Sequence, residues 1–247
     1  MQPMNRLTVL IASILACGIM CPVFALGNRE QPVSGLIGTV RERPSPAADF
    51  TLTDQHDAAF HMADTKGRVV VLTFIYTHCV DACPYISLKV KNAISLLSRD
   101  RDKAAFVAVT TDPKRDIPKV NFAYSQAFGL ENAWSFVTGS LESVKAVWAN
   151  YGIGVEKDSD TQQLASPLDD AKDPGAGAET DPVTWGLAKS DLALAGKIID
   201  QFGGGYDVAH SVPFWIIDKS GRVRVSLDAN ATPSEIVTDV RALMNSR

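Results

Sequence analysis

Residues 67–86 read GRVVVLTFIYTHCVDACPYI, and the fold turns on them. Val69–Tyr76 is a run of Val, Leu, Thr, Phe, Ile and Tyr without polar alternation, opened by Gly67-Arg68 and closed by His78-Cys79. A run this short and this rich in β-branched and aromatic residues is expected to be a strand buried on both faces. Pro84 suits the first turn of a helix, where its missing N–H has no partner to lose; this places Cys83 at the cap. Ile86, Val90, Ile94 and Leu97 then give that helix one apolar face. Cys79 and Cys83 therefore lie between the carboxyl end of a strand and the start of a helix, where open α/β sheets bind their ligands. The free N–H groups and partial positive charge of a helix start favour thiolate over thiol.

The same rhythm continues outward. Ala105–Thr110 reads as a strand, Asp112-Pro113 turns into a helix carrying Val120, Phe122, Tyr124 and Phe128, Trp134–Val137 is a strand, and Leu141–Tyr151 a helix. Pro213–Asp218 and Arg222–Leu227, joined by Lys219-Ser220-Gly221, form a β-hairpin. Thr232 caps a last helix to Met244. Early alternation implies parallel strands and the closing hairpin antiparallel ones. The expected fold is α/β, thioredoxin-like, a mixed central sheet flanked by helices, with an insertion before the last β-hairpin. That insertion is 156–206: Asp158–Thr180 is rich in Asp, Pro, Ala and Gly and reads as a mobile loop, and Trp185–Phe202 holds a short helix. No internal repeat is visible.

The N-terminus is of another kind. Arg6 is the only charge before Asn28, Leu7–Met20 is almost wholly apolar, and Val23-Phe24-Ala25 offers a cleavage site. Residues 1–25 are expected to be a signal peptide or an N-terminal anchor; a lipoprotein signal ending at Cys17 would need the bulky Leu15 to be accepted. Residues 26–47, rich in Gly, Pro, Arg and Glu, read as a tether, and 48–247 as the functional domain. The localisation expected is extracytoplasmic, the bacterial periplasm, with membrane attachment through the N-terminus if the segment is retained. If it is removed, Cys79 and Cys83 remain of the four cysteines, and outside the cytoplasm such a pair is usually a disulfide. The chain's 24 Lys and Arg against 28 Asp and Glu form no basic run, which argues against a nucleic-acid partner.

Spacing narrows the chemistry. Thioredoxin-type catalysis uses two residues between its cysteines; here Val80, Asp81 and Ala82 intervene. Leu72 and Tyr76 stand where a peroxidatic pattern places Pro and Thr. A structural disulfide, thiol–disulfide exchange and metal binding stay open. His78 adjoins Cys79 but is expected to face away from it. His56, His61 and Asp81 read as solvated, Asp112 and Asp116 as helix-start caps, and Trp134, Trp148 and Trp215 as core. Pro213 stands before a strand, where thioredoxin-like folds often place a cis-proline.

The stretch Cys79-Val80-Asp81-Ala82-Cys83-Pro84 resembles the Cys-x-x-x-Cys-Pro signature of the Sco/SenC family of copper chaperones, with Val80 where a proline is commoner. Asp112-Pro113-Lys114-Arg115-Asp116 resembles that family's Asp-Pro-x-Arg-Asp segment. His210-Ser211 before Phe214–Asp218 resembles its ligand histidine, and Asp49–Leu52 its opening. The likeness covers roughly residues 48–155 and 206–244. It implies copper held by Cys79, Cys83 and His210, and delivery to the dinuclear copper centre of cytochrome oxidase subunit II or another extracytoplasmic copper acceptor. Some members are credited instead with thiol–disulfide exchange on the same target, with Cys79 and Cys83 as the redox pair. Two thiolates and an imidazole suit Cu(I), and structural zinc usually takes four protein ligands.

Overall fold

The computed structural model describes residues 33–157 and 186–246. The strands, in chain order, are β1 (Thr39–Pro46), β2 (Thr51–Thr53), β3 (Ala59–His61), β4 (Val69–Ile75), β5 (Ala104–Thr110), β6 (Ser135–Val137), β7 (Val155–Lys157), β8 (Val208–His210), β9 (Phe214–Ile217) and β10 (Arg222–Leu227). The helices are α1 (Ala82–Leu97), α2 (Pro118–Phe128), α3 (Leu141–Tyr151), α4 (Lys189–Phe202) and α5 (Pro233–Asn245).

Why β4 is almost wholly apolar is clear from its neighbours. Successive side chains of a strand point to opposite faces. Val69, Val71 and Ile75 enter one core with residues of α1, α2, α4 and α5. Val70, Leu72 and Phe74 enter another with Val144, Val147 and Trp148 of α3. Both faces are covered, so the strand is apolar except at the buried Thr73. The sheet order is β1-β10-β9-β4-β5-β6. β4, β5 and β6 are parallel; β9 joins β4 antiparallel and β10 joins β9 antiparallel. This is the expected thioredoxin-like α/β arrangement, a mixed central sheet flanked by helices.

The structure departs from the sequence reading in several places. Part of the expected tether is a sheet strand: β1 pairs antiparallel with β10, Thr39 opposite Ser226 and Val40 opposite Val225, with a bulge before Ser45. Its side chains are mostly exposed, so neither face carries an apolar pattern, and main-chain pairing leaves no trace in composition. Ahead of it, the buried Asp239 carboxylate accepts the N–H groups of Ile37 (2.6 Å) and Gly38 (3.0 Å), tying the chain to α5. The folded body thus begins before residue 48. α1 begins at Ala82, so Cys83 lies inside its first turn and not at the cap; the first four N–H groups of a helix all lack partners, and Pro84 is as well placed there as at the very first position. No described peptide bond is cis, Val212–Pro213 included. The expected signal segment 1–25 and Asp158–Thr180 lie outside the described residues. Among the described residues no helix is long and apolar enough to cross a membrane.

The hairpin and last helix follow the reading. Thr232 Oγ accepts the Glu235 N–H (3.3 Å), and Glu235 accepts the Thr232 N–H (2.8 Å), a reciprocal cap. Thr232→Ala is expected to cost about 1 kcal/mol of stability, measurable as a lowered urea midpoint with unchanged slope.

Candidate metal site

The site begins where β4 ends. The chain leaves the sheet at Tyr76-Thr77, and the loop is fixed there by a buried carboxylate. Asp116 Oδ1 accepts the Thr77 hydroxyl (2.6 Å) and the Thr77 N–H (3.2 Å), while Oδ2 accepts the Thr110 hydroxyl (2.6 Å). Asp116 is therefore not a helix cap: α2 starts at Pro118 with Ile117 as its flanking residue. Burial pushes its carboxyl up to about 7, against the three donors. Asp112 is not a helix cap either; its carboxylate holds Arg115 and accepts the Tyr206 hydroxyl (2.8 Å).

Beyond this anchor the cysteines turn inward. Cys79 is 6% exposed and Cys83 0%; both are free thiols. The Cys83 N–H points at Cys79 Sγ, 3.5 Å away. The two sulfurs are unequal. A hydrogen bond from the Cys83 thiol, then backbone N–H groups of Cys83 and Asp81, hold the Cys79 thiol below its usual range against the opposing effect of burial. Burial, then the hydrogen bond given to Cys79, pushes Cys83 well above it. Of the two thiols, Cys79 is thus the easier to ionise and Cys83 the one that keeps its proton. Iodoacetamide at neutral pH is accordingly expected to label Cys79 before Cys83 in the native protein, with labelling of both at one rate as the contrary result; peptide mass mapping over time distinguishes them.

His210 ends β8. Its Nδ1 lies 3.0 Å from the Ser211 carbonyl oxygen. A carbonyl only accepts, so Nδ1 carries the proton and Nε2 keeps its lone pair. That lone pair faces Cys83 Sγ at 3.7 Å. Burial holds the imidazole below its usual pKa, favouring the neutral form a metal requires. The Tyr76 ring stands edge-on to it, 5.6 Å between centroids.

The structure thus brings Cys83 against both Cys79 and His210. Metal–sulfur and metal–nitrogen bonds of roughly 2.3 and 2.0 Å set two donors of one ion about 3.5–3.7 Å apart, and the Cys83–His210 separation meets this. Among the described residues, no three Cys, His, Asp or Glu side chains are gathered closely enough to close on an ion; Cys79 is held by the Cys83 N–H. The donor chemistry, two cysteine sulfurs and a neutral imidazole, fits a soft cation.

The other histidines are engaged elsewhere. His78 Nδ1 bonds the Thr77 hydroxyl (2.8 Å), His56 Nε2 the Glu131 carbonyl (2.7 Å), and His61 Nδ1 the Thr51 hydroxyl (2.9 Å). Asp81 is exposed at the loop tip. Trp134 and Trp148 are buried and donate to Ser125 Oγ and the Thr110 carbonyl; Trp215 is half-buried under Arg41.

The long insertion does not displace His210, because its two ends are stitched together: Val155 pairs with His210, Glu156 with Ala209 and Lys157 with Val208. Inside it, α4 buries Ala195 and Ile198 and sets Phe202 against Tyr124, 5.5 Å between centroids. Tyr124 bonds Ser87, and Ser87 donates to the Cys83 carbonyl. Tyr76 stands against His210, with Arg115 over the Tyr76 and Tyr206 rings; of the three, Arg115 alone carries a sequence signal, within the Asp-Pro-x-Arg-Asp segment.

The fold and the paired thiols beside a histidine define a thioredoxin-like protein with a soft-donor site. A model of the SCO1/SenC family matches residues 39–169, just over half the chain and ending before His210. An SCO2-like protein of Rickettsia felis is 26% identical over 142 residues, covering 58% of this chain and 68% of that one. The solved structure of Bradyrhizobium japonicum ScoI with copper bound aligns with a TM-score of 0.57 at 21% identity, over 81% of this chain and 99% of that one. That of BsSco, described as a member of the Sco family of cytochrome c oxidase assembly proteins with a disulfide switch, aligns at 0.54 and 16% identity over 85% and 99%. The chain belongs to the SCO1/SenC family.

Proposed function

We propose that this protein is an extracytoplasmic copper carrier of cytochrome oxidase assembly. It binds one copper ion through Cys79, Cys83 and His210 and passes it to the dinuclear copper centre of subunit II. The observation that carries the reading is the approach of His210 Nε2 to Cys83 Sγ at 3.7 Å, with the imidazole proton committed to Ser211. The copper-bound relative and the assembly role of BsSco support it, as does the apolar N-terminal segment. Copper is cargo here. The chain's own part is to offer two buried sulfurs beside a half-buried imidazole, keep that imidazole neutral, and leave the set incomplete enough for an acceptor's ligands to take over. Reduced protein is expected to take up one Cu(I) per chain, and His210→Ala to weaken binding in competition with a chromogenic Cu(I) chelator. Binding unaffected by His210→Ala would overturn the three-ligand assignment.

A second reading rests on the inequality of the thiols. A Cys79 thiol shifted down beside a Cys83 thiol shifted up is also the order expected of a thiol–disulfide exchanger, attacking thiol first and resolving thiol second. It predicts that Cys83→Ala traps a mixed disulfide through Cys79, and that His210 is dispensable for trapping.

A further inference from the structure

We propose that Arg115 is the positioning residue for His210: its guanidinium clasps the segment that leads into β8 and so holds the imidazole at the cysteines. The proposal rests on the metal-ligand reading above. Arg115 bonds along its whole fork. Nε donates to the Asp112 carboxylate, Nη1 to the Gly204 carbonyl (3.1 Å) and Nη2 to the Tyr206 carbonyl (2.9 Å). Its plane lies over the Tyr206 ring, 3.7 Å from the centroid, and 5.6 Å from that of Tyr76. Tyr206 returns its hydroxyl to Asp112 (2.8 Å). Two residues on, the Tyr76 hydroxyl accepts the Val208 N–H (3.3 Å). The path from Gly204 to Val208 is gripped at alternate residues, and His210 follows directly.

The clasp adds to a short anchorage: Val208 is buried in the main core and the Gly204 N–H reaches the His78 carbonyl (3.4 Å), but β8 itself is brief. It has three residues, pairs among the described residues with β7 alone, and stands outside the six-stranded sheet. The chain reaches it through Gly203-Gly204-Gly205, with φ of +110° at Gly204 and +86° at Gly205, backbone that does not stiffen itself. A Cβ on Gly205 would meet Arg115 Nη1 at 2.9 Å, so the guanidinium sits directly on the strap. Lysine cannot replace it: a point ammonium lacks the planar fork that reaches two carbonyls and a carboxylate and stacks on a ring.

The test is a double-mutant comparison of Cu(I) affinity in the full-length reduced protein, using Arg115→Gln, His210→Ala and the pair. If the imidazole is in place one tenth of the time without the clasp, Arg115→Gln weakens binding about tenfold. In the His210→Ala background it is expected to cause no further loss, and Arg115→Lys is expected not to rescue. An equal loss in both backgrounds, or none in either, overturns the proposal. Should His210→Ala bind as tightly as the parent, the ligand reading fails, and the metal-free protein decides on the clasp. There, nitrogen NMR of the His210 ring is expected to show one tautomer, protonated at Nδ1, in the parent and averaging in Arg115→Gln; identical ring signals overturn it. If Arg115→Gln does not fold, Tyr206→Phe, which keeps the ring and loses the bond to Asp112, carries both measurements with a smaller expected change.

Discussion

Cys83→Ala is expected to abolish stable Cu(I) retention while leaving the fold intact. Cys83 is the centre of the site: it faces His210 through its sulfur and Cys79 through its N–H. Its loss leaves one cysteine sulfur and one imidazole, without the residue that contacts both. Losing an outer-shell partner costs a metal site about 10–100-fold, and a missing ligand at the shared position is expected to exceed the top of that range. The structural cost is small by comparison. A buried thiol behaves as a small hydrophobe, and trimming it to a methyl is expected to cost about 1 kcal/mol. The two effects separate in one experiment, with competition against a Cu(I) chelator reading the site and urea unfolding the fold. Cys79→Ala is expected to lose copper equally, and in addition to return Cys83 toward an ordinary buried thiol, since the acceptor of its proton is gone. Copper retention by Cys83→Ala equal to that of the parent would sink the assignment.

How far the sequence disclosed this site depended on how local each feature was. β4 was legible because burial on both faces leaves a run of apolar residues and Thr73 without polar alternation, and the Cys-x-x-x-Cys loop was legible because it follows that run directly. α4 was foreseen within Trp185–Phe202 from Leu187, Leu192, Leu194, Ile198 and Ile199. β1 was not, since an exposed edge strand holding Pro44 and Pro46 looks like a tether. The contact between His210 and Cys83 spans 127 residues, and only the family resemblance pointed to it. What brings it about, a three-residue ladder between β7 and β8, is too short to leave a pattern. Asp116 was misread for a physical reason as well: an Asp ahead of a helix is usually a cap, and nothing local says that this one turns inward to Thr77 and Thr110.

That inward turn makes Asp116 the residue on which the loop's stability most depends. Asp116→Ala is expected to destabilise the protein by about 3 kcal/mol, because the Thr77 N–H and the hydroxyls of Thr77 and Thr110 lose their acceptor in a buried setting. Asp116→Asn is expected to behave differently. With its folded pKa raised to about 7, Asp116 takes up a proton on folding at pH values where the unfolded carboxyl, near 3.9, has lost it. The folded state then binds more protons than the unfolded one, so this group's contribution to stability is full below about pH 4 and declines as pH rises toward 7, at up to about 1.4 kcal/mol per unit. The protonated form is compatible with its neighbours: Oδ1 keeps accepting from Thr77, and a proton on Oδ2 can be taken by the Thr110 hydroxyl, which acts in either sense. An asparagine reproduces that state at every pH. The stability difference between parent and Asp116→Asn, both metal-free, is therefore expected to favour the parent most at pH 5, to shrink toward pH 7 and to be flat above it. Urea midpoints between pH 5 and 8 measure it, and taking the difference cancels the titration of the cysteines and histidines. A difference independent of pH, with Asp116→Asn as damaging as Asp116→Ala, would mean that the carboxylate is ionised throughout. The three donors would then outweigh burial, and the loop that presents Cys79 would be anchored by a buried charge.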